Sequence, residues 1–122
     1  MPAYETEEFV PPAPVARAVV RGPAGQTRSG VPLLVDTGAD VSVVPRRVAE
    51  DVAAAIQPSG IAIRSYDGSE ALCDLAELSV EFLRYRFRGI FVVGDAENGV
   101  LGRNILNSLL LTLDGPGQVW SA

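Results

Sequence analysis

The chain has 122 residues, 48% of them hydrophobic and 20% charged, with a net charge of −5. That is enough for one domain with a real core and too little for two. One cysteine excludes an intramolecular disulfide, the absence of histidine excludes a His-based triad or a His-rich metal site, and the acidic balance argues against nucleic acid as the main partner.

Residues 1–14, "MPAYETEEFVPPAP", hold four prolines and no useful periodicity, which is the composition of a flexible Pro/Glu-rich arm. An acidic, Pro-rich start is the opposite of a secretory signal, and no run of about 18 apolar residues follows. The expectation is a cytoplasmic protein with no membrane partner, whose single domain spans 15–122. "VARAVV" (15–20) is strand-like and "RGPAGQTRSG" (21–30) is turn chemistry. "VPLLVD" (31–36) is a nearly continuous apolar run, as expected of a strand buried on both faces, and it ends on an acid. "PRRVAEDVAAAI" (45–56) has helical spacing: Pro45 suits the first helical position, Val48, Val52, Ala55 and Ile56 share a face, and Pro58 and Gly60 stop it.

Residues 61–82 predict a hairpin turning at Asp67-Gly68. "LRYRFRGIFVV" (83–93) alternates, with Arg84, Arg86 and Arg88 on one face and Leu83, Tyr85 and Phe87 on the other. Arg interleaved with aromatics can mean nucleic-acid contact, but strict alternation favours a half-exposed strand with an Arg face. After a loop at 94–99, "VLGRNILNSLLL" (100–111) runs from a short strand through Gly102 into a short helix. "LTLDGPGQVW" (111–120) predicts a strand, a Gly-Pro-Gly turn and a few extended residues. Six or more strands with two helices make the fold mainly β.

Asp36 carries the chemical interest. Aspartate at a strand-to-turn junction is common because it caps turns. Here three apolar residues lead into it, which places it at the floor of something rather than on a loop tip. Thr37 sets a hydroxyl beside the acid, and Gly38 allows another backbone or a substrate to approach closely. Cys73 has no histidine partner and reads as a small strand residue. Asp95 and Glu97 near Asn98 fit no metal-ligand spacing and read as a solvated turn.

Taken together, "LLVDTGADVSVVP" and "NGVLGRNILN" resemble the retropepsin family of aspartic proteases. The matched positions are Asp36-Thr37-Gly38-Ala39 and Val100-Leu101-Gly102-Arg103-Asn104, and the resemblance runs in order over residues 15 to about 113. It implies a single half-pepsin lobe, closed and β-barrel-like, with one or two short helices. It also implies an aspartic endopeptidase with no cofactor, working as a homodimer on a peptide or protein substrate, with Asp36 contributed by each subunit. Thr37 resembles the family's inter-subunit grip and Gly38 its backbone acceptor for substrate. Asp40 and Arg103 match positions that form an ion pair within the subunit, and Gly102 and Asn104 complete the second motif.

Asp67, Gly68 and Ser69 fall where the family carries its substrate-covering flap. Tyr66 matches a flap tyrosine of the pepsin kind, although a tyrosine beside a hairpin turn is otherwise ordinary. Three features depart from the viral pattern: a longer helix at 45–56, which resembles bacterial and eukaryotic members; a flap with one glycine, which implies a stiffer and shorter flap; and a turn before the last residues, where viral members end in a single strand that pairs across the dimer. The competing reading is a catalytically silent dimerisation or peptide-binding module, against which stands the intact Asp36-Thr37-Gly38, since binding alone calls for no buried acid.

Ala39 stands where pepsin-like lobes often carry Ser or Thr, whose hydroxyl can donate to the catalytic carboxylate and favour its charged form. Without that donor, cleavage rate measured against pH is expected to peak in a less acidic range than pepsin's; a maximum in the pepsin range would overturn this.

Overall fold

The computed structural model describes residues 1–64 and 67–122. Its strands, in chain order, are β1 (Tyr4–Glu5), β2 (Ala13–Arg21), β3 (Thr27–Val35), β4 (Val43–Pro45), β5 (Ile56–Arg64), β6 (Glu70–Phe82), β7 (Tyr85–Gly94), β8 (Gly99–Leu101), β9 (Thr112–Asp114) and β10 (Val119–Ser121). Helix α1 (Arg46–Asp51) follows β4, and α2 (Arg103–Leu106) follows β8.

Two long antiparallel pairs set the frame. β2 runs against β3, with Val15 opposite Leu34 and Arg21 opposite Thr27. β6 runs against β7 from Phe82↔Tyr85 to Asp74↔Val93. β2 also pairs with β6, Val20 opposite Val80. The order β2-β3-β8-β4-β7-β6 therefore closes into a ring, with β1 attached outside on β2 and β5 on β6. Closure leaves those six strands without a free edge. Period-2 alternation fills the inside: Val31, Leu33 and Val35 of β3 are buried, while Pro32 and Leu34 between them are half-buried. α1 adds Val48 and Ala49 to the same core, which also takes Val20, Val80 and Leu101.

Two short strands complete this ring, and β8 fits beside its neighbours because it starts on a glycine. β8 lies parallel to β3, with Leu33↔Gly99 and Val35↔Leu101 in register, and β4 lies parallel to β7. A side chain at Gly99 would run into Leu33 and the Val43 carbonyl. β4 has no counterpart in the sequence pattern, because its three residues are too few to show a period. Pro45 ends that strand and stands just ahead of the helix rather than inside it. The helix is also shorter than the 45–56 spacing predicts. Ala53 takes a left-handed backbone, φ 55°, and Ile56 pairs with Ala76 as the first residue of β5. The long-helix departure from the viral pattern is thus absent.

At the termini, Ala3 bridges to Val119. Tyr4 N–H donates to the Gln118 carbonyl at 2.8 Å and Trp120 N–H to the Pro2 carbonyl at 2.9 Å. The Glu5 carboxylate accepts from the Glu7 N–H at 3.1 Å and from Arg17; these bonds, the backbone one first, hold it below the usual carboxylate range. None of the described helices is long and apolar enough to cross a membrane.

Trp120 fastens the C-terminal hairpin to the ring. It is 1% exposed, its ring centroid lies 6.5 Å from that of Phe82, and its indole N–H donates to the Val15 carbonyl at 3.2 Å. Trp120→Ala is expected to lower the unfolding free energy by about 3–5 kcal/mol in denaturant titration, as for other buried large aromatics; a loss below about 1 kcal/mol would show that the hairpin is not part of the cooperative unit.

Candidate active site

Asp36 is the first residue beyond β3, and its N–H still donates to the Leu101 carbonyl at 3.1 Å, continuing the β3–β8 ladder by one step. The chain then turns. Ala39 N–H donates to the Asp36 carbonyl at 3.2 Å, and Gly38 N–H donates to Asp36 Oδ1 at 2.9 Å. The carboxylate is therefore held by its own turn, the arrangement aspartate favours in such loops. Asp36 is half-buried, while Thr37 and Gly38 are exposed.

The segment 101–104 braces this turn from below. Gly102 lies against the backbone of Val41 so closely that a Cβ would overlap the Val41 carbonyl. Arg103 N–H donates to the Ala39 carbonyl at 2.8 Å and Asn104 N–H to the Asp40 carbonyl at 3.3 Å. The Arg103 guanidinium spans the loop, with Nη1 donating to the Thr37 carbonyl at 2.8 Å and Nη2 paired with Asp40. Asp40 is mostly exposed, so the pair itself is worth little, and its use is to hold the loop in one shape. The two sequence motifs, far apart in the chain, thus form one interlocked unit.

Ser42 is the residue that sequence reasoning missed. It is 2% exposed. Its hydroxyl accepts from the Gly102 N–H at 2.9 Å and donates to Asn104 Oδ1 at 2.8 Å, so one side chain joins the turn to both ends of the Gly102–Asn104 segment. The signal was a lone hydroxyl in "ADVSVVP": a polar group entering an apolar strand is buried only with partners.

Elsewhere, Asp67 and Ser69 stand between β5 and β6, and Gly68 takes a positive φ of 87°. The Ser69 hydroxyl and N–H both donate to Asp67 Oδ1, at 2.7 and 2.9 Å, and hold that carboxyl below its ordinary range, the hydroxyl most. Tyr66 lies outside the described residues. Among those described, no hydrogen bond joins Asp67–Ser69 to the Asp36 turn.

Asp95 is taken by Arg46, which donates to it through Nε and to Asp74 through Nη2, both at 2.7 Å. Asp95 first and then Asp74 raise the guanidinium further above its usual range. No cluster of metal-ligating side chains occurs among the described residues. Cys73 is buried, with Sγ 3.2 Å from the Ser59 hydroxyl. Arg86 and Arg88 face Glu81 and Glu77 on β6 as cross-strand ion pairs, while Arg84, in the turn before β7, lies over the Tyr85 ring.

No family model matches this chain, and no curated protein does. Among solved structures, the EIAV protease complexed with the inhibitor HBY-793 is similar, with a TM-score of 0.62 at 18% sequence identity, over 79% of this chain and 86% of that one. The fold is that of a retropepsin-like lobe, mainly β with two short helices.

Removing the Ser42 hydroxyl leaves the Gly102 N–H buried and unpaired. Ser42→Ala is expected to cost about 1–3 kcal/mol of stability by chemical denaturation; an unchanged midpoint would mean that water or Asn104 takes over the bond.

Proposed function

We propose that the protein is an aspartic endopeptidase that hydrolyses extended peptide segments as a homodimer. The observation that carries this is Asp36 itself: a half-buried carboxylate on a turn fixed by Gly102, Arg103, Asn104 and Ser42, beside the exposed Thr37 and Gly38. So much bracing for one acid is unnecessary for a plain turn. It suits a group that must meet another within a few tenths of an ångström. The similarity to the EIAV protease supports the reading at the level of fold.

The chemistry follows from pairing. Two Asp36 carboxylates across a two-fold axis hold one water and share one proton, since like charges so close do not both ionise. One carboxylate takes the proton of the attacking water while the other donates to the scissile carbonyl oxygen, giving a tetrahedral intermediate with no covalent bond to the enzyme. No metal or other cofactor takes part. The substrate lies as a strand bonded through its backbone, with Gly38 accepting from it, the β5–β6 hairpin as flap, and Thr37 gripping its counterpart beneath.

Asp36→Asn keeps the shape and removes the acid. Cleavage of a denatured protein is expected to fall by at least roughly 10²–10⁴-fold, with the mass in light scattering unchanged, and a peptide mimicking the tetrahedral intermediate is expected to inhibit the wild type. Equal cleavage by both forms would reject the mechanism.

A further inference from the structure

Three strands of the ring bring arginines together on its outer face. Arg21 of β2 stands opposite Ser79 of β6, and Ser79 stands opposite Arg88 of β7. Directly opposed residues share a face, so the two arginines flank the serine, their Cα atoms about 10 Å apart across three strands. Arg86, two residues along β7 and opposite Glu81, shares that face. Leu78 and Val80 belong to the core, so Ser79 points outward, yet it is 7% exposed. Around it the arginines and the turn at Gly22, Pro23 and Gly25 enclose a cavity of about 170 Å³. The cavity is remote from Asp36. Val15, at the start of β2, faces Leu34 near that acid, and Arg21 lies six residues further on, about 20 Å along the strand.

Donors are in excess here. Arg86 spends Nε and Nη2 on Glu81. Arg21 Nε is buried and has no hydrogen-bond partner among the described residues; Glu81 Oε1, at 3.7 Å, is beyond hydrogen-bond reach. Arg88 Nη2 is likewise 3.7 Å from Glu77 Oε1. A buried N–H without an acceptor is uncommon, because it gives up water and gains no bond. Three guanidiniums and one carboxylate, Glu77, line the cavity, in a chain whose overall charge is −5. The rim is set in advance. Gly22 N–H donates to the Gln26 carbonyl at 2.8 Å and Gly25 N–H to the Gly22 carbonyl at 3.0 Å, and a Cβ at Gly22 would overlap the Val52 carbonyl.

We propose that this cavity binds a phosphate-type oxyanion, which accepts from Arg21 Nε and the Ser79 hydroxyl at the floor and from Arg88 at the wall, with Arg86 adding its charge. Guanidinium forks match phosphate oxygens two at a time. A tetrahedral anion offers acceptors to arginines arriving from both sides of Ser79, whereas a planar carboxylate satisfies one fork. At about 170 Å³ the cavity is smaller than sites that enclose a whole organic ligand. It takes the oxyanion itself, as free phosphate or as the head of a small phosphomonoester whose remainder stays in solvent. The site stands whether or not Asp36 is catalytic.

The test is calorimetric titration of the full chain with inorganic phosphate, with phosphoserine and with acetate, at ionic strength matched by sodium chloride. Saturable binding of the phosphate probes is expected, with amide NMR shifts concentrated at residues 21–25, 77–79 and 86–88 and a thermal midpoint that rises with ligand. Tighter binding of phosphoserine assigns the site to a monoester; binding of phosphate at least as tight assigns it to the free ion. Arg21→Gln and Arg88→Gln, the latter at a mostly exposed side chain, are each expected to raise Kd at least about tenfold while circular dichroism stays unchanged. Glu77→Gln removes the carboxylate that repels the anion and is expected to tighten binding, a gain that misfolding cannot imitate. No saturation with either phosphate probe, an equal response to acetate, or a Kd unchanged in both arginine variants would overturn the site.

Discussion

The Ser42 hydroxyl, between the Gly102 N–H and the Asn104 amide oxygen, is the contact on which the architecture around the Asp36 turn depends. It is one buried oxygen with two directional bonds, so both partners are fixed relative to each other. The Asp36 turn and the start of α2 then move as one body. A turn held only by its own Gly38 and Ala39 bonds would have room to rotate about the end of β3. Anchored also through Arg103 to the Thr37 carbonyl, it has less freedom to rotate.

That contact constrains the sheet beneath it. To bring Ser42 over Gly102, β4 must enter the ring between β8 and β7, and the backbones must approach closely there. Gly94, Gly99 and Gly102 mark the approach, since an added Cβ at each would overlap Val43, Leu33 or Val41. The Arg46 guanidinium, at the junction of β4 with α1, then ties β4 to Asp74 of β6 and Asp95 of the β7–β8 loop. Those charges are solvated and add little to stability. Their geometric effect is to keep the short strand from sliding, which three residues of ladder would not prevent alone.

How much of this was legible depends on the length of the signal. β3, β6 and β7 are long enough for alternation to show, and the strand class and the two motifs follow from them. β4 and the end of α1 are decided by tertiary contacts that no local period records. "VAAAI" has helical spacing, yet Ile56 gains more as a strand partner of Ala76. The β6–β7 turn at Leu83-Arg84 contains no Gly or Asn, although Leu83 adopts φ 53°, so the pattern runs straight through it. The union of the Asp36 and Gly102 segments could be reached only through resemblance, since nothing in either stretch points to the other. Ser42 was visible as an anomaly but not as a link, because its partners lie about 60 residues away.

Ring closure also decides where apolar surface is left over. Six strands consume one another's edges and bury Val20, Val44, Val80 and Leu101 completely. Large apolar groups left exposed include Ile61 and Leu72 on the β5–β6 hairpin and Leu110 and Leu113 at the C-terminal one. These lie on the two hairpins that extend beyond the ring. Most of the buried apolar surface lies inside the closed ring, and Trp120 adds the C-terminal hairpin to that core. At one end of that ring the Asp36 turn is held by bonds within its own chain, through Gly38, Ala39, Ser42 and Arg103. Under the proposed function, an acid held in place by its own chain adds no ordering cost when substrate or a second subunit meets it, so the binding energy of that encounter remains for positioning the reacting groups.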